Sequence, residues 1–299
     1  MTQSPSLEQL MLNGCDTHVH VIGPREKFPM VQNRHYTPGL ASVQDLQGHL
    51  SRQGLGRAVI VQPSVYGTDN SCLLAAIAAM GQQARGIAVL DPQISASELQ
   101  ALDAQGIRGI RLNLESSGNQ SIDQLTEALT TWAPRLESLG WHIQVYAPYS
   151  VTSACAPFIK TLPVPVVLDH FALWPANQIA TPDTRVLLKL LASGHIYIKL
   201  SASYRLPGFE NKKLKELAHH LLQVRPDRLL WASDWPHTNR EPGVDALNVS
   251  RYRNIEVNSL LAERLNWLVN ISNQKIVLIE NPKALYRFND HEVAAPHLT

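Results

Sequence analysis

Short apolar runs rich in β-branched residues recur along the chain, and segments with helical spacing separate them. Eight such runs are predicted to be strands: Cys15–Ile22, Arg57–Gln62, Gly86–Leu90, Gly106–Asn113, Trp141–Tyr146, Val164–His170, His195–Ser201 and Arg228–Asp234. The segments predicted to be helical are Asn70–Gln83, Ser97–Gln105, Ile122–Leu139, Val151–Thr161, Asp183–Ala192 and Lys212–Val224. Eight strands alternating with helices over about 220 residues are typical of a (β/α)8 barrel.

The alternative fold is a doubly wound open sheet. The absence of a Gly-x-Gly-x-x-Gly motif after the first strand weakens it. We therefore predict an α/β fold of the (β/α)8 TIM-barrel class, as a single domain over residues 1–299 with the barrel at about 14–288.

Helices after Asn258 are predicted to pack outside the barrel, and the tail from Asn289 is predicted to be loose. The irregular stretch Gly23–Gly39 suggests a lid or a substrate wall.

Composition excludes some partners. With 299 residues, 44% of them hydrophobic, the chain can bury a large core. The net charge of +1, without a basic stripe, disfavours nucleic acid as a partner. No apolar run approaches the roughly 20 residues of a membrane span, and the first residues do not resemble a signal peptide. Three widely spaced cysteines suit reduced thiols, so we expect a cytoplasmic protein.

His18 and His20 stand one residue apart in the first predicted strand. Strand side chains alternate between faces, so both imidazoles are expected to point to the same side. Such a pair can bind a metal, polarise a carbonyl group or relay a proton. The plainer interpretation is two unrelated polar residues at a strand end.

Chemistry in a (β/α)8 barrel sits at the C-terminal ends of the strands. The polar residues predicted there are His18, His20, Gln62, Ser64, Arg111, Asn113, Tyr146, His170, Lys199, Ser201 and Asp234. A single histidine there is as often a core residue, and Asp234 alone could cap the turn at Trp235–Pro236. Three histidines and an aspartate together favour a catalytic site.

Three motifs resemble the amidohydrolase superfamily in its amidohydrolase 2 branch: Asp16–His20, Leu168–His170 and Ser233–His237. Further segments are similar to the 2-pyrone-4,6-dicarboxylate lactonases and related lactonases: Phe28–Pro29, Arg34–Pro38, Gln62–Asn70 and Lys199–Arg205. The resemblance runs from about Asp16 to Phe288. It implies a (β/α)8 barrel and hydrolysis of a lactone ring. The expected partner is therefore a small carboxylated lactone, as the substrate.

A typical metal site of this superfamily uses the first-strand histidines, a ligand from strand four or five, and the eighth-strand aspartate. Here those middle strands offer Arg111, Asn113 and Tyr146. His18, His20 and Asp234 would still suffice for catalytic zinc. A nearby arginine opposes a cation, and the closest resemblance implies no metal, so we favour a metal-independent site with zinc as the alternative.

Opening a lactone needs an activated water and a polarised carbonyl group. We predict Asp234 as the base that later protonates the leaving oxygen, and His18, His20 and His170 as the groups that polarise the carbonyl.

The remaining predicted residues bind substrate. Arg111 and Arg205 are predicted to bind its carboxylates, although Arg205 could equally be a solvated surface charge. Ser64, Tyr146 and Tyr36 are predicted to orient the ring, and His237 is either a supporting residue or an ordinary loop residue.

One departure affects the substrate. The lactonase resemblance implies a further basic residue shortly after Arg111, but the run Arg111–Gly118 has none and contains Glu115. This puts the pyrone dicarboxylate in doubt and leaves muconolactone-like or sugar-acid lactones open. A zinc-dependent decarboxylase or C–C or C–N hydrolase and a non-catalytic binding barrel are the competing hypotheses. The sequence does not set the oligomeric state.

Overall fold

A computed structural model describes residues 11–115, 121–175, 184–206 and 208–289. Eight parallel strands form one sheet in chain order. Their bounds are β1 Cys15–Val19, β2 Arg57–Val61, β3 Ala84–Ala88, β4 Ile107–Asn113, β5 His142–Tyr146, β6 Val166–Leu168, β7 Ile196–Leu200 and β8 Leu229–Trp231. The sheet closes where Val19 bridges to Trp235 just past β8. The predicted (β/α)8 barrel is therefore confirmed.

Helices follow the strands on the outside of the sheet. Their bounds are α1 Val43–Gln53, α2 Ser71–Met80, α3 Ala96–Ala104, α4 Ile122–Glu137, α5 Tyr149–Ile159, α6 Arg185–Ser193 and α7 Asn211–Val224. The first of these was not predicted, although Ser42 and Asp45 form a capping box at its start. The predicted first residue of α6, Asp183, lies outside the described residues, as does the tail after Asn289.

The C-terminal helices also help to close the barrel. They are α8 Val257–Trp267, α9 Ile271–Lys275, a π-helical turn at Ile276–Glu280, and α10 Asn281–Tyr286. Tyr286 and Phe288 are buried in one apolar cluster with the barrel-lining residues Cys15 and Val167. The guanidinium groups of Arg57 and Arg85 lie 5.2 and 4.7 Å from the Phe288 ring centroid. Together these side chains fill the end of the barrel opposite the strand C-termini.

Side-chain alternation along the strands sets what faces the barrel interior. On β7, Tyr197 belongs to the interior apolar cluster, so Lys199 and Ser201 point inward above it. On β5, His142, Gln144 and Tyr146 follow the same alternation. The interior is thus apolar at its base and polar towards the C-terminal ends of the strands. Within the described residues, no helix is both long enough and apolar enough to cross a membrane.

Candidate active site

An irregularity in β1 brings both histidines to the interior. Cys15 faces the interior apolar cluster, and strict alternation would then turn His18 and His20 outward. The pairing of β1 with β2 advances three residues, from Asp16 to Val19, while β2 advances only two. This β-bulge reverses the side-chain alternation, so His18 and His20 share the interior with the polar ends of the other strands.

Asp234 lies at the centre of the site and is fully buried. Its Oδ2 accepts hydrogen bonds from the Tyr204 hydroxyl at 2.8 Å and from Arg205 Nε at 2.7 Å. Its Oδ1 has no hydrogen-bond partner among the described residues. Although burial raises the pKa of Asp234, the charge of Arg205 is the largest of the contributions that lower it to well below the ordinary value. Asp234 is therefore a carboxylate with one oxygen held and one oxygen available.

Three imidazoles turn their Nε2 atoms towards Asp234 Oδ1. The distances are 3.6 Å from His20, 3.7 Å from His18 and 3.9 Å from His170. The other nitrogen of each ring is held: His20 Nδ1 lies 2.7 Å from the Val61 carbonyl oxygen, and His170 Nδ1 lies 2.9 Å from Ser201 Oγ. Burial lowers the pKa of His170 to about 4 and that of His18 well below its usual value. Both rings are neutral at pH 7.

The backbone turns sharply where two of these residues leave their strands. His170 has a φ of 48° and Asp234 a φ of 63°, values that are uncommon for residues other than glycine. Strained conformations of this kind cluster at functional sites, where the surrounding structure holds them in place. Here the turns direct both side chains towards His18 and His20.

A pocket of about 230 Å³ opens above this cluster. Every residue predicted for the site except His18 lines it: His20, Tyr36, Ser64, Arg111, Tyr146, His170, Arg205 and Asp234. His18 lies beneath and is fully buried. The guanidinium of Arg111 lies 5.5 Å from the Tyr146 ring centroid. The structure thus brings together all nine residues that were predicted to act in catalysis or substrate binding.

Comparison with known proteins gives a family match that spans the whole barrel. Residues 15–288 match the family model described as Amidohydrolase. The chain belongs to the amidohydrolase family. It is 30% identical over 301 residues to the 2-pyrone-4,6-dicarboxylate hydrolase of Comamonas testosteroni, covering 95% of this chain and 93% of that protein.

Two further relatives of this amidohydrolase are similar over most of its length. It is 32% identical over 229 residues to the 4-sulfomuconolactone hydrolase of Rhizobium radiobacter, covering 75% of each protein. The crystal structure of a probable 2-pyrone-4,6-dicarboxylic acid hydrolase from Acinetobacter baumannii, with citric acid bound, superposes with a TM-score of 0.78. That match has 29% identity and covers 92% of this chain and 100% of the other.

Sequence reasoning missed several residues of this amidohydrolase site. Tyr204 lies in the Lys199–Arg205 segment, but the sequence does not show that its hydroxyl reaches Asp234. His35, Glu115 and Arg240 line the pocket as well. Arg240 follows Asp234 by six residues in the loop after β8, and only the folded loop shows that it returns to the pocket. It adds a basic group to the pocket lining.

The distances between the candidate ligand atoms show whether this amidohydrolase site could hold a zinc ion. Three imidazole nitrogens and a carboxylate oxygen are zinc-binding atoms, and ligand atoms of tetrahedral zinc with bonds of about 2.0–2.1 Å lie about 3.4 Å apart. The observed 3.6–3.9 Å separations from Asp234 Oδ1 are close to this. His18, His20 and Asp234 would be the ligands, and zinc would supply carbonyl polarisation and an acidic bound water.

The charge around these atoms opposes a cation. Lys199 and Arg111 lie 3.5 and 3.4 Å from the carboxylate oxygens of Asp169, and Arg205 contacts Asp234. These three positive charges face two carboxylates before any ion is added, and such repulsion is strong in a buried site. The atom types and spacing therefore fit zinc, whereas the surrounding charge fits an anionic substrate.

Proposed function

We propose that this amidohydrolase opens the ring of a carboxylate-bearing lactone by hydrolysis without a metal, with Asp234 as the general base. The observation that carries the proposal is the arrangement around Asp234: Oδ2 is held by Tyr204 and Arg205, while Oδ1 faces three imidazole Nε2 atoms beneath the pocket. A base needs one oriented lone pair and a neighbouring place for the carbonyl oxygen, and this geometry supplies both.

The charge of the pocket supports an anionic substrate. Arg111, Arg205 and Arg240 line it against two carboxylates, the buried Asp234 and the half-buried Glu115. Guanidinium groups bind carboxylates and sulfonates through paired hydrogen bonds. The substrates in the relatives' names, a pyrone dicarboxylate and a sulfomuconolactone, are lactones with such groups.

The proposed reaction follows from these positions. Asp234 Oδ1 takes a proton from water, and the resulting hydroxide adds to the lactone carbonyl carbon. The carbonyl oxygen gains negative charge and is stabilised by the imidazole N–H groups of His18 and His170. His20 presents a bare Nε2 to the site, because its Nδ1 proton goes to the Val61 carbonyl oxygen, and it can accept a hydrogen bond from the water. When the ring C–O bond breaks, Asp234 returns the proton to the leaving oxygen, and the product is a hydroxy acid or its keto form.

Arg205 has two parts in this mechanism. Its Nε contacts Asp234 Oδ2, and its Nη2 donates to Thr238 Oγ1 at 3.1 Å. Because Arg205 also lines the pocket, its guanidinium is proposed to bind a substrate anion. The charge of Arg205 keeps the pKa of Asp234 low, which makes it a weak base. A substrate carboxylate bound to Arg205 offsets that charge, so the basicity of Asp234 rises when substrate binds.

The second anionic group of a substrate would meet Arg240. A basic residue shortly after Arg111 is missing, and Arg240 reaches the pocket from the loop after β8. This placement favours lactones whose second anionic group points to the pocket mouth, as a muconolactone-like side chain would. Sugar-acid lactones and the pyrone dicarboxylate itself complete the class to be tested.

A panel of lactones tests the proposal. Pyrone dicarboxylate, 4-sulfomuconolactone, muconolactone and sugar-acid lactones are offered beside matched lactones without an anionic group, and released acid is followed with a pH indicator. We expect turnover of at least one anionic lactone and a rate at least a hundredfold lower for its neutral counterpart. Absence of ring opening across the whole panel would contradict the proposal and favour a binding barrel.

The zinc-dependent alternative rests on the spacing of the same atoms. A zinc ion held by His18, His20 and Asp234 would suit a hydrolase or decarboxylase of this family. Stoichiometric zinc in protein purified without added metal, with activity lost on chelation, would favour it. The cytoplasm stays the predicted location.

A further inference from the structure

Beneath the three imidazoles lies a buried polar layer that the proposed mechanism does not use. It consists of Lys199, Gln144 and Asp169, which are at most 1% exposed. Lys199 Nζ donates to Gln144 Oε1 at 2.7 Å and lies 3.5 Å from Asp169 Oδ1. Asp169 Oδ2 accepts hydrogen bonds from Gln144 Nε2 at 3.1 Å and from Arg111 Nη2 at 3.4 Å.

Among the described residues, this layer contacts the catalytic histidines at His18 Nδ1. Asp169 Oδ1, an acceptor, lies 3.2 Å from it, and Lys199 Nζ, a donor, lies 3.3 Å from it. A neutral imidazole carries one proton on one of its two nitrogens. The neighbours of His18 therefore decide whether Nε2, which faces Asp234 and the pocket side, carries a proton or a bare lone pair.

Hydrogen-bond satisfaction favours the proton on Nε2. An ammonium group has three hydrogens, and three acceptors surround Lys199 Nζ if His18 Nδ1 is bare: Gln144 Oε1, His18 Nδ1 and Asp169 Oδ1. With the proton on Nδ1 instead, one hydrogen of the fully buried Lys199 would face an N–H group. A buried donor left without an acceptor costs about 1–3 kcal/mol.

The surroundings of His18 Nε2 also favour the proton on that nitrogen. His18 Nε2 has no hydrogen-bond partner among the described residues and lies 3.7 Å from Asp234 Oδ1, which is likewise without one. A bare Nδ1 faces Asp169 Oδ1 at 3.2 Å, but that oxygen already has Lys199 as a donor. A bare Nε2 would instead face Asp234 Oδ1, which has no other donor among the described residues, whereas Nε2–H points a donor at it. His20 cannot supply that donor, because its Nδ1 proton goes to the Val61 carbonyl oxygen.

We propose that Lys199 is a positioning residue that holds the proton of His18 on Nε2, and so makes His18 a hydrogen-bond donor to the developing oxyanion. This inference rests on the proposed lactone hydrolysis for its catalytic consequence, but not for the tautomer itself. It also separates two uses of one histidine: Nε2–H can stabilise an oxygen anion, whereas only a bare Nε2 can bind a metal.

Nitrogen NMR of protein labelled with [15N]histidine tests the tautomer directly, without substrate. The chemical shifts of the two ring nitrogens show which one carries the proton, and the spectrum of His18→Asn identifies the signals of His18. We expect Nε2–H in the wild-type protein and a change to Nδ1–H in Lys199→Met, where Asp169 becomes the remaining strong neighbour. Lys189→Met removes an exposed lysine of α6 and serves as the control, with an unchanged spectrum.

Kinetics then measure the consequence. Loss of one oxyanion donor lowers kcat by about 10²–10³-fold, so Lys199→Met is expected to lose about a hundredfold in kcat with a smaller change in KM. Nδ1–H in the wild-type protein would overturn the proposal, and this measurement needs no variant to fold. Retention of Nε2–H in Lys199→Met would overturn it as well. Failure of the wild-type protein to open any lactone would instead refute the proposed function, because the spectra do not depend on turnover.

Discussion

Replacement of Asp234 by asparagine isolates its role as a base. Asparagine has the same shape, and the contacts of the carboxylate determine how it is placed. The amide oxygen occupies the position of Oδ2, where the Tyr204 hydroxyl and Arg205 Nε both donate. The amide nitrogen then occupies the position of Oδ1, 3.6 Å from His20 Nε2, a bare acceptor. The site keeps its geometry and loses the lone pair that accepts the water proton.

The expected effect is large for the rate and small for the fold. Loss of a general base lowers kcat about 10²–10⁴-fold, which at about 1.36 kcal/mol per tenfold corresponds to roughly 3–5 kcal/mol of transition-state stabilisation. The assay is lactone turnover followed by acid release, with thermal unfolding to show that the variant folds. Asp245→Asn neutralises an exposed aspartate and should retain wild-type kcat. A folded Asp234→Asn protein with more than a tenth of wild-type kcat would refute the assignment.

Three further predictions concern Tyr204, Arg240 and His142. Tyr204→Phe removes the hydroxyl that orients Asp234 Oδ2, so kcat should fall roughly ten- to a hundredfold at a nearly constant KM, in keeping with the roughly 1.5–3 kcal/mol of a hydrogen bond to a charged group; an unchanged kcat would contradict this role. Arg240→Ala should raise KM about tenfold for lactones with two anionic groups and leave KM for singly charged lactones unchanged, if one charge-assisted contact of about 1.4 kcal/mol is lost; equal effects on both would refute it. Burial, with the charge of Lys199, lowers the pKa of His142 to about 3, below its unfolded value of about 6.5. Stability present above pH 6.5 is therefore lost as the pH falls towards 3, by up to roughly 4 kcal/mol; the decline of Tm should be shallower in His142→Leu, and parallel curves would contradict the prediction.

The eight strands could be predicted because burial on both faces makes parallel strands read as continuous apolar runs. Their C-terminal ends then indicated His170 and Asp234 as neighbours of His18. The helix α1 was missed although Ser42 and Asp45 form a recognisable capping box, because its apolar pattern is weak beside the irregular stretch that precedes it.

Other parts of the site depend on backbone detail that residue patterns do not show. The bulge in β1 turns His18 and His20 inward only because one extra residue is inserted between Asp16 and Val19. The positive φ angles at His170 and Asp234 are held by tertiary contacts rather than by local preference. The path of the loop after β8 cannot be predicted from residue patterns either, so the sequence did not assign Arg240 to the pocket.

Asp234 is proposed to activate water for lactone hydrolysis without a metal. The most direct test is turnover of an anionic lactone by protein whose metal content has been measured before and after treatment with a strong chelator. We predict the same kcat in both samples, with far less than one metal ion per chain. Activity that disappears with a stoichiometric zinc ion, and returns when zinc is restored, would contradict the account.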